Sequence, residues 1–180
     1  MISSRAKRGK SARRRDLNTG SIIERLDSCE DFSDVFELVK RTAERCLGRR
    51  RAGLMLYLAR LPKHIGAYHT VGTNGIVLNR TTLDMVTHGA RSLREINSYV
   101  YSILLHEYLH ALGYVREEDA RRLVYEISLE SFGPDHPATQ IASKGPNAVF
   151  PEIALIDMPT ESPDVEVIPD LERSSRRYIS

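Results

Sequence analysis

Residues 99–113 of the chain read Tyr-Val-Tyr-Ser-Ile-Leu-Leu-His-Glu-Tyr-Leu-His-Ala-Leu-Gly and contain His106, Glu107 and His110 in the order H-E-x-x-H. Each residue of an α-helix advances by about 100°, so the two histidines lie one above the other, with Glu107 about 60° from His110. Apolar residues cover most of the remaining helix surface, and Gly113 is the residue type that commonly ends a helix. The stretch therefore predicts a buried central helix.

The ionisable side chains of this helix are concentrated in the motif. Between residues 96 and 115, only the tyrosines and the three motif residues can ionise. A buried carboxylate without a partner costs several kcal/mol, so a divalent cation is an economical reason for keeping Glu107 there. Two neutral imidazoles can hold Zn²⁺, while Glu107 is placed to take a proton from metal-bound water. The alternative is a core helix whose His106, Glu107 and His110 hydrogen-bond to one another.

The motif and its helix are similar to the active-site helix of the zincin metallopeptidases. This resemblance implies an α+β fold with a small sheet packed on the central helix, and zinc-dependent hydrolysis of a peptide or protein substrate. Residues 106–113 also match the H-E-x-x-H-x-x-G-x-x-H signature of the metzincin branch up to the glycine. Position 116, where that branch has its third histidine, is Arg116. A different third ligand is therefore expected.

A second helix is predicted over residues 116–132, and its first turn offers a third ligand. Gly113 permits a tight reversal, so this helix should return antiparallel to the first with its opening residues near the motif. With Ala120 at the centre of its buried face, Glu117 lies about 60° to one side and Glu118 about 160° away. Glu117 is the predicted third ligand. Two histidines and a glutamate from the following helix resemble the ligand set of the gluzincin branch and of its small members, the minigluzincins. Alternatively, these acids only stabilise a helix N-terminus.

His136, in the sequence Gly-Pro-Asp-His-Pro, is a competing candidate. In the SprT-like zincins a later histidine completes the metal site, so the resemblance allows His136 to be the third ligand or an oxyanion donor. The alternative is an exposed loop histidine. Tyr114 and Arg116 are further candidate oxyanion donors beside the turn, unless they serve only packing and solvation there.

Three strands are predicted before the motif helix, at residues 54–61, 65–71 and 76–79, after a packing helix that begins near Asp31. The pair Asn74-Gly75 predicts a hairpin between the second and third strands. In the zincins the last strand before the helix is a sheet edge that binds extended substrate through backbone hydrogen bonds. For this chain, the resemblance implies a substrate-binding edge that comprises Gly75, Ile76, Val77 and Leu78.

Charge divides the chain into three parts. Residues 1–20 are predicted to be a disordered basic arm, because residues 5–15 hold seven Lys and Arg and no acid. Residues 21–145 are predicted to be the zincin-like catalytic domain. Residues 146–180 form a Pro-rich acidic tail with seven acids and three arginines. Its apolar part, residues 148–156, is a candidate for blocking the cleft, and the minigluzincin resemblance implies C-terminal latency of this kind.

The basic arm supports a second hypothesis. Each Lys or Arg set against a phosphate releases a counterion, so residues 5–15 are a candidate nucleic-acid contact, although a solubilising tail has the same composition. The chain would then be a zincin-derived, non-catalytic scaffold that binds nucleic acid or a ribonucleoprotein through the arm and Arg49–Arg51. No apolar run approaches 18 residues, and the N-terminus lacks an apolar signal region, so no membrane contact and a cytoplasmic location are expected.

Overall fold

The structure, a computed structural model, describes residues 22–156, 164–168 and Leu171. Within these residues it contains six helices and one four-stranded mixed sheet, so the α+β class predicted from the sequence is confirmed. The predicted basic arm, residues 1–20, lies outside the described part, as does about half of the predicted tail. In chain order the elements are α1 (residues 22–27), α2 (Phe32–Leu47), β1 (Met55–Ala59), β2 (Ala67–His69), β3 (Gly75–Asn79), α3 (Arg80–Gly89), α4 (Leu93–Ala111), α5 (Glu117–Phe132), α6 (Pro137–Lys144) and β4 (Glu166–Ile168).

The sheet has the strand order β2-β3-β1-β4. β1 runs parallel to β3, with Leu56 opposite Ile76, while β2 and β4 pair antiparallel to β3 and β1. Alternate residues of β1, Leu56 and Leu58, are buried on the face that packs on the helices. The three predicted strands and the hairpin at Asn74-Gly75 are therefore confirmed.

The position of β3 corrects one prediction. β3 lies inside the sheet, with β1 on one side and β2 on the other, so its backbone groups are already paired in both directions. An extended ligand cannot add to such a strand. The edge predicted for Gly75, Ile76, Val77 and Leu78 is therefore wrong. The hairpin folds β2 onto the outside of β3, and β2 becomes the edge strand on that side.

The predicted central helix is confirmed as α4. It packs against α2, α5 and α6, and its Val100, Leu104 and Leu109 are fully buried. Phe36 of α2 meets Tyr108 of α4 edge-to-face, with the ring centroids 5.5 Å apart. Apolar contact on three sides fixes the rotation of α4, which determines where its polar motif residues point.

Asn79 fixes the loop that leads into β2. Its side-chain oxygen accepts the backbone N–H groups of Leu61 (3.0 Å) and Thr81 (2.9 Å), the second of which caps α3. Its amide nitrogen donates to the carbonyls of Leu61, Pro62 and Ile65, at 3.0, 3.1 and 2.7 Å. Because Asn79 is fully buried, its loss would remove five hydrogen bonds from this loop, and only the Pro62 carbonyl has another partner shown here, the Ile65 N–H at 3.0 Å. The chain before β2 is thereby held against the sheet.

The packed domain continues beyond the boundary predicted at residue 145. Phe150 is buried and meets Tyr99 edge-to-face, with centroids 6.4 Å apart. Two short 3-10 turns, Pro146–Ala148 and Ile153–Leu155, flank it. Farther on, Ile168 of β4 pairs with Leu56 and is buried in the core. Described residues of the predicted tail therefore form part of the fold.

Candidate metal centre

Three side chains named from the sequence converge at the C-terminal end of α4. His106 Nε2 and His110 Nε2 lie 3.1 Å apart, and each lies 3.3 Å from Glu117 Oε2. Atoms bound about 2.0–2.1 Å from one tetrahedral ion are separated from each other by about 3.3 Å. The spacing of the three atoms therefore fits a single small ion between them. Among the described residues, this is the group of His, Cys, Asp and Glu side chains able to hold a metal.

The hydrogen bond made by the other nitrogen of the His110 ring also fits a metal site. His110 Nδ1 lies 2.7 Å from the carbonyl oxygen of Tyr114, so Nδ1 carries the proton in the neutral ring. In that tautomer the lone pair of His110 Nε2 is directed at Glu117 Oε2, 3.3 Å away, and a divalent ion could bind both atoms. Two imidazole nitrogens and one carboxylate oxygen are one of the protein ligand sets found in catalytic zinc sites, which keep a fourth position open.

The electrostatic environment favours the metal-binding forms of His106 and Glu117. Burial lowers the pKa of His106, although Glu117 acts in the opposite direction, and the neutral imidazole is the form that binds a metal. Burial alone would raise the pKa of Glu117. The hydrogen bond from Arg121 and the nearby His106 outweigh burial, and the pKa of Glu117 lies below its ordinary value.

The short turn after α4 explains how Glu117 reaches the histidines. Gly113 adopts a φ of 100°, which residues with a Cβ rarely adopt, and the Tyr114 N–H turns back to the Leu109 carbonyl at 3.1 Å. Three residues later α5 begins at Glu117 and packs against α4. The reversal therefore places the first side chain of α5 beside the last turn of α4.

Glu107 lies in the same cleft but outside the group of three. Its side chain is 5% exposed, and burial raises its pKa to about 7. Its carboxylate accepts a hydrogen bond from the backbone N–H of His69, at the end of β2. The side chain that the sequence assigned as a base thus faces the edge strand.

The cleft has a volume of about 1060 Å³. Gly66 and Ala67, which lead into and begin β2, line one side, and His106 and Glu107 of α4 lie in its wall. The loop before β2, α3, the first half of α5, the end of α6 and the two 3-10 turns also contribute to the lining. Part of the segment predicted to block the cleft, Ile153 and Ala154, is therefore part of its wall.

The structure places His136 elsewhere, which corrects its predicted role as ligand or oxyanion donor. Its Nδ1 accepts the Ala138 N–H at 3.2 Å at the start of α6, and its ring stacks on Phe132 with centroids 4.8 Å apart. Burial, together with the nearby positive charge of Arg94, lowers the pKa of His136 to about 4. His136 neither joins the metal-ligating group nor lines the cleft. It is a buried helix cap.

Tyr114 and Arg116, the other candidate oxyanion donors, have different partners. The Tyr114 carbonyl orients His110, and its ring lies under Arg49, 5.4 Å from the guanidinium carbon. Arg116 is an exposed residue paired with Glu118 at 3.1 Å. Neither residue lines the cleft.

The basic patch at Arg49–Arg51 is largely engaged within the chain. Arg50 pairs with Glu44 at 3.0 Å and with Glu37 at 3.6 Å. Arg51 donates to the carbonyls of Ala111 and Thr73, at 2.7 and 2.9 Å, and so ties the end of α4 to the β2–β3 turn. These contacts tie the patch to neighbouring elements of the fold.

Two contributors to the site were missed in the sequence. Arg121 donates through Nε to Glu117 Oε1 at 2.8 Å. The four-residue spacing between the two residues on a predicted helix could have indicated this pair. The His69 contact to Glu107 uses a backbone N–H. Because nearly every residue type has this group, the contact could not be predicted from the sequence.

No model of a known protein family, no curated protein and no solved structure matches this chain. Fold and site together describe an α+β protein with a His-His-Glu group, able to hold a metal ion, beside a large cleft. Within the described part of the chain, no helix combines the length and apolar character needed to cross a bilayer.

Proposed function

We propose that this protein is a zinc-dependent metallopeptidase of the zincin type. The observation that carries the proposal is the convergence of His106, His110 and Glu117 on one ion-sized position, with the separate buried carboxylate of Glu107 in the same cleft. A site that only needed to hold a structural ion would be closed by a fourth protein ligand. Three ligands, an adjacent base and a cleft favour hydrolysis.

Each residue has a distinct role in this proposal. His106, His110 and Glu117 would hold Zn²⁺, which as a Lewis acid lowers the pKa of coordinated water and polarises a peptide carbonyl. Glu107 takes the proton from the attacking water and delivers it to the departing amine. The His69 N–H holds the Glu107 carboxylate in place, and the Tyr114 carbonyl holds the His110 ring.

In this proposal β2, the outer strand on this side of the sheet, would be the edge that binds an extended substrate. The Asn79 N–H donates to the Gly66 carbonyl at 2.9 Å, and the next pair in the register is Ala67 with Leu78. Hydrogen-bonded and non-hydrogen-bonded pairs alternate between antiparallel strands, so the N–H and C=O of Ala67 point away from β3. Ala67 also lines the cleft. A peptide strand could therefore pair with Ala67 and lie across the metal centre.

The edge assignment predicts a selective effect of Ala67→Pro. Proline removes an outward N–H without breaking a bond to β3, so the fold should persist. We expect kcat/KM for a peptide to fall about tenfold, the worth of one backbone hydrogen bond. Tyr68→Ala, which removes an exposed side chain from the same strand, is the control and should retain activity. Unchanged kcat/KM in the proline variant would exclude β2 as the substrate edge.

The proposal itself is tested by metal content and protein cleavage together. The purified protein should bind one zinc per chain, cleave an unfolded protein such as casein, lose cleavage on treatment with a chelator and regain it with zinc. Metal content is measured by elemental analysis and cleavage by release of soluble peptides. Zinc binding without cleavage would contradict the peptidase proposal and leave only a metal-binding protein. Absence of zinc binding would contradict the proposed metal centre.

A further inference from the structure

The two oxygens of the Glu117 carboxylate have different surroundings. Oε2 faces His106 and His110, at 3.3 Å from each ring nitrogen. Oε1 points the other way and accepts the Nε–H of Arg121 at 2.8 Å. The hydrogen bond to Oε1 thus leaves Oε2 directed at the position that a metal would occupy.

Apart from Arg121 and the two histidines, little fixes the side chain of Glu117. It is the first residue of α5, and its side chain is 51% exposed. The N-cap residue, Arg116, makes no side-chain capping bond that would tighten this turn. A half-exposed glutamate at a helix end has several rotamers of similar energy, and holding one of them costs entropy. Arg121 lies one turn along the same face, where a Glu-to-Arg pair is favourable.

We propose that Arg121 is a positioning residue, which presents Oε2 of Glu117 to the metal. The proposal rests on the metal centre proposed above but does not depend on peptidase activity. Hydrogen bonds to the non-ligating atoms of metal ligands commonly contribute tenfold or more to affinity, because they hold the ligand in its binding orientation.

Positioning and charge make opposite predictions for this residue. A guanidinium near a dication repels it, so if charge dominated, removing Arg121 would tighten zinc binding. If orientation dominates, removing Arg121 weakens zinc binding. The side chain of Arg121 is 73% exposed, so solvent screens the charge effect, whereas the hydrogen bond acts at 2.8 Å. The direction of the change therefore identifies the mechanism.

The test is the zinc dissociation constant of Arg121→Met, measured by competition with a chromophoric chelator at fixed pH and ionic strength. We expect affinity about tenfold weaker than wild type. Arg122→Met is the matched control, since Arg122 lies on the same helix, is exposed and pairs with Glu126 at 3.1 Å, and it loses the same charge. Its zinc affinity should equal that of wild type.

Two further variants separate the contributions. Arg121→Gln keeps a donor without the charge, so partial recovery relative to Arg121→Met supports orientation. Equal or tighter zinc binding in Arg121→Met, or an equal loss in Arg122→Met, would overturn the positioning role. Failure of the wild type to bind zinc would instead remove the metal centre, and the inference with it. Circular dichroism checks that each variant is folded.

Discussion

Glu107→Gln is expected to lower kcat for peptide hydrolysis about 10³-fold while the protein keeps its zinc. Glutamine has nearly the same shape, and its side-chain carbonyl can still accept the His69 N–H that the carboxylate accepts. It cannot take a proton from the attacking water at neutral pH. Glu107 is not one of the three residues whose atoms converge, so metal affinity should remain near that of wild type.

The measurement combines kcat on a fluorogenic peptide with zinc content of the same sample. Glu118→Gln is the control, because Glu118 lies on α5 with a side chain that is 86% exposed and is not a member of the metal-ligating group. Its activity and zinc content should both be unchanged. If Glu107→Gln kept more than about a tenth of the activity, Glu107 would not be the base. If it lost zinc instead, Glu107 would be a ligand.

The positions of His106, Glu107 and His110 could be read from the sequence because they depend on one helix. Helical periodicity fixes the angle between residues four apart, and the apolar residues around them fix which face is buried. Glu117 could be reached by one further step. The turn at Gly113 is short, so the first residues of the next helix must lie close to the end of α4.

The sheet edge could not be read in this way. The strands and the hairpin follow from local sequence, whereas the order β2-β3-β1-β4 depends on β1 pairing with β3, with β2 between them in the sequence. That pairing is non-local, and no residue in Gly75–Asn79 marks the strand as inner rather than outer. The substrate edge was therefore assigned one strand too far inside the sheet.

His136 was misjudged because its neighbourhood reads as a loop. Pro137 occupies the first turn of α6, where a proline is tolerated, and the His136 side chain caps that helix. The sequence Gly-Pro-Asp-His-Pro indicates a loop that could either return to the metal or stay exposed, and neither expectation includes a buried cap. The burial of Phe150 was missed for a related reason, since prolines at 146 and 151 suggested a segment outside the core.

His110→Ala should weaken zinc binding by about 10³-fold or more. Complete protein sites bind zinc with roughly 10–16 kcal/mol, so each ligand of a small set contributes several kcal/mol. His110 is also the ligand whose orientation is fixed by a backbone carbonyl, that of Tyr114 at 2.7 Å, so little entropy is lost when it binds. Zinc should raise the Tm of the wild type but not of this variant, because ligands that bind only the native state stabilise it.

His136→Asn tests the same histidine chemistry at the position that the structure separates from the centre. Asparagine can replace the cap that His136 provides to the Ala138 N–H, so α6 should still begin there. Zinc affinity of this variant and of His110→Ala, measured by the chelator competition described for Arg121→Met, should equal that of wild type only for His136→Asn. A loss comparable to that of His110→Ala would mean that His136 reaches the ion when it is bound. Full zinc affinity in both variants would show that the ion is held elsewhere in the chain, and the peptidase proposal would lose its centre.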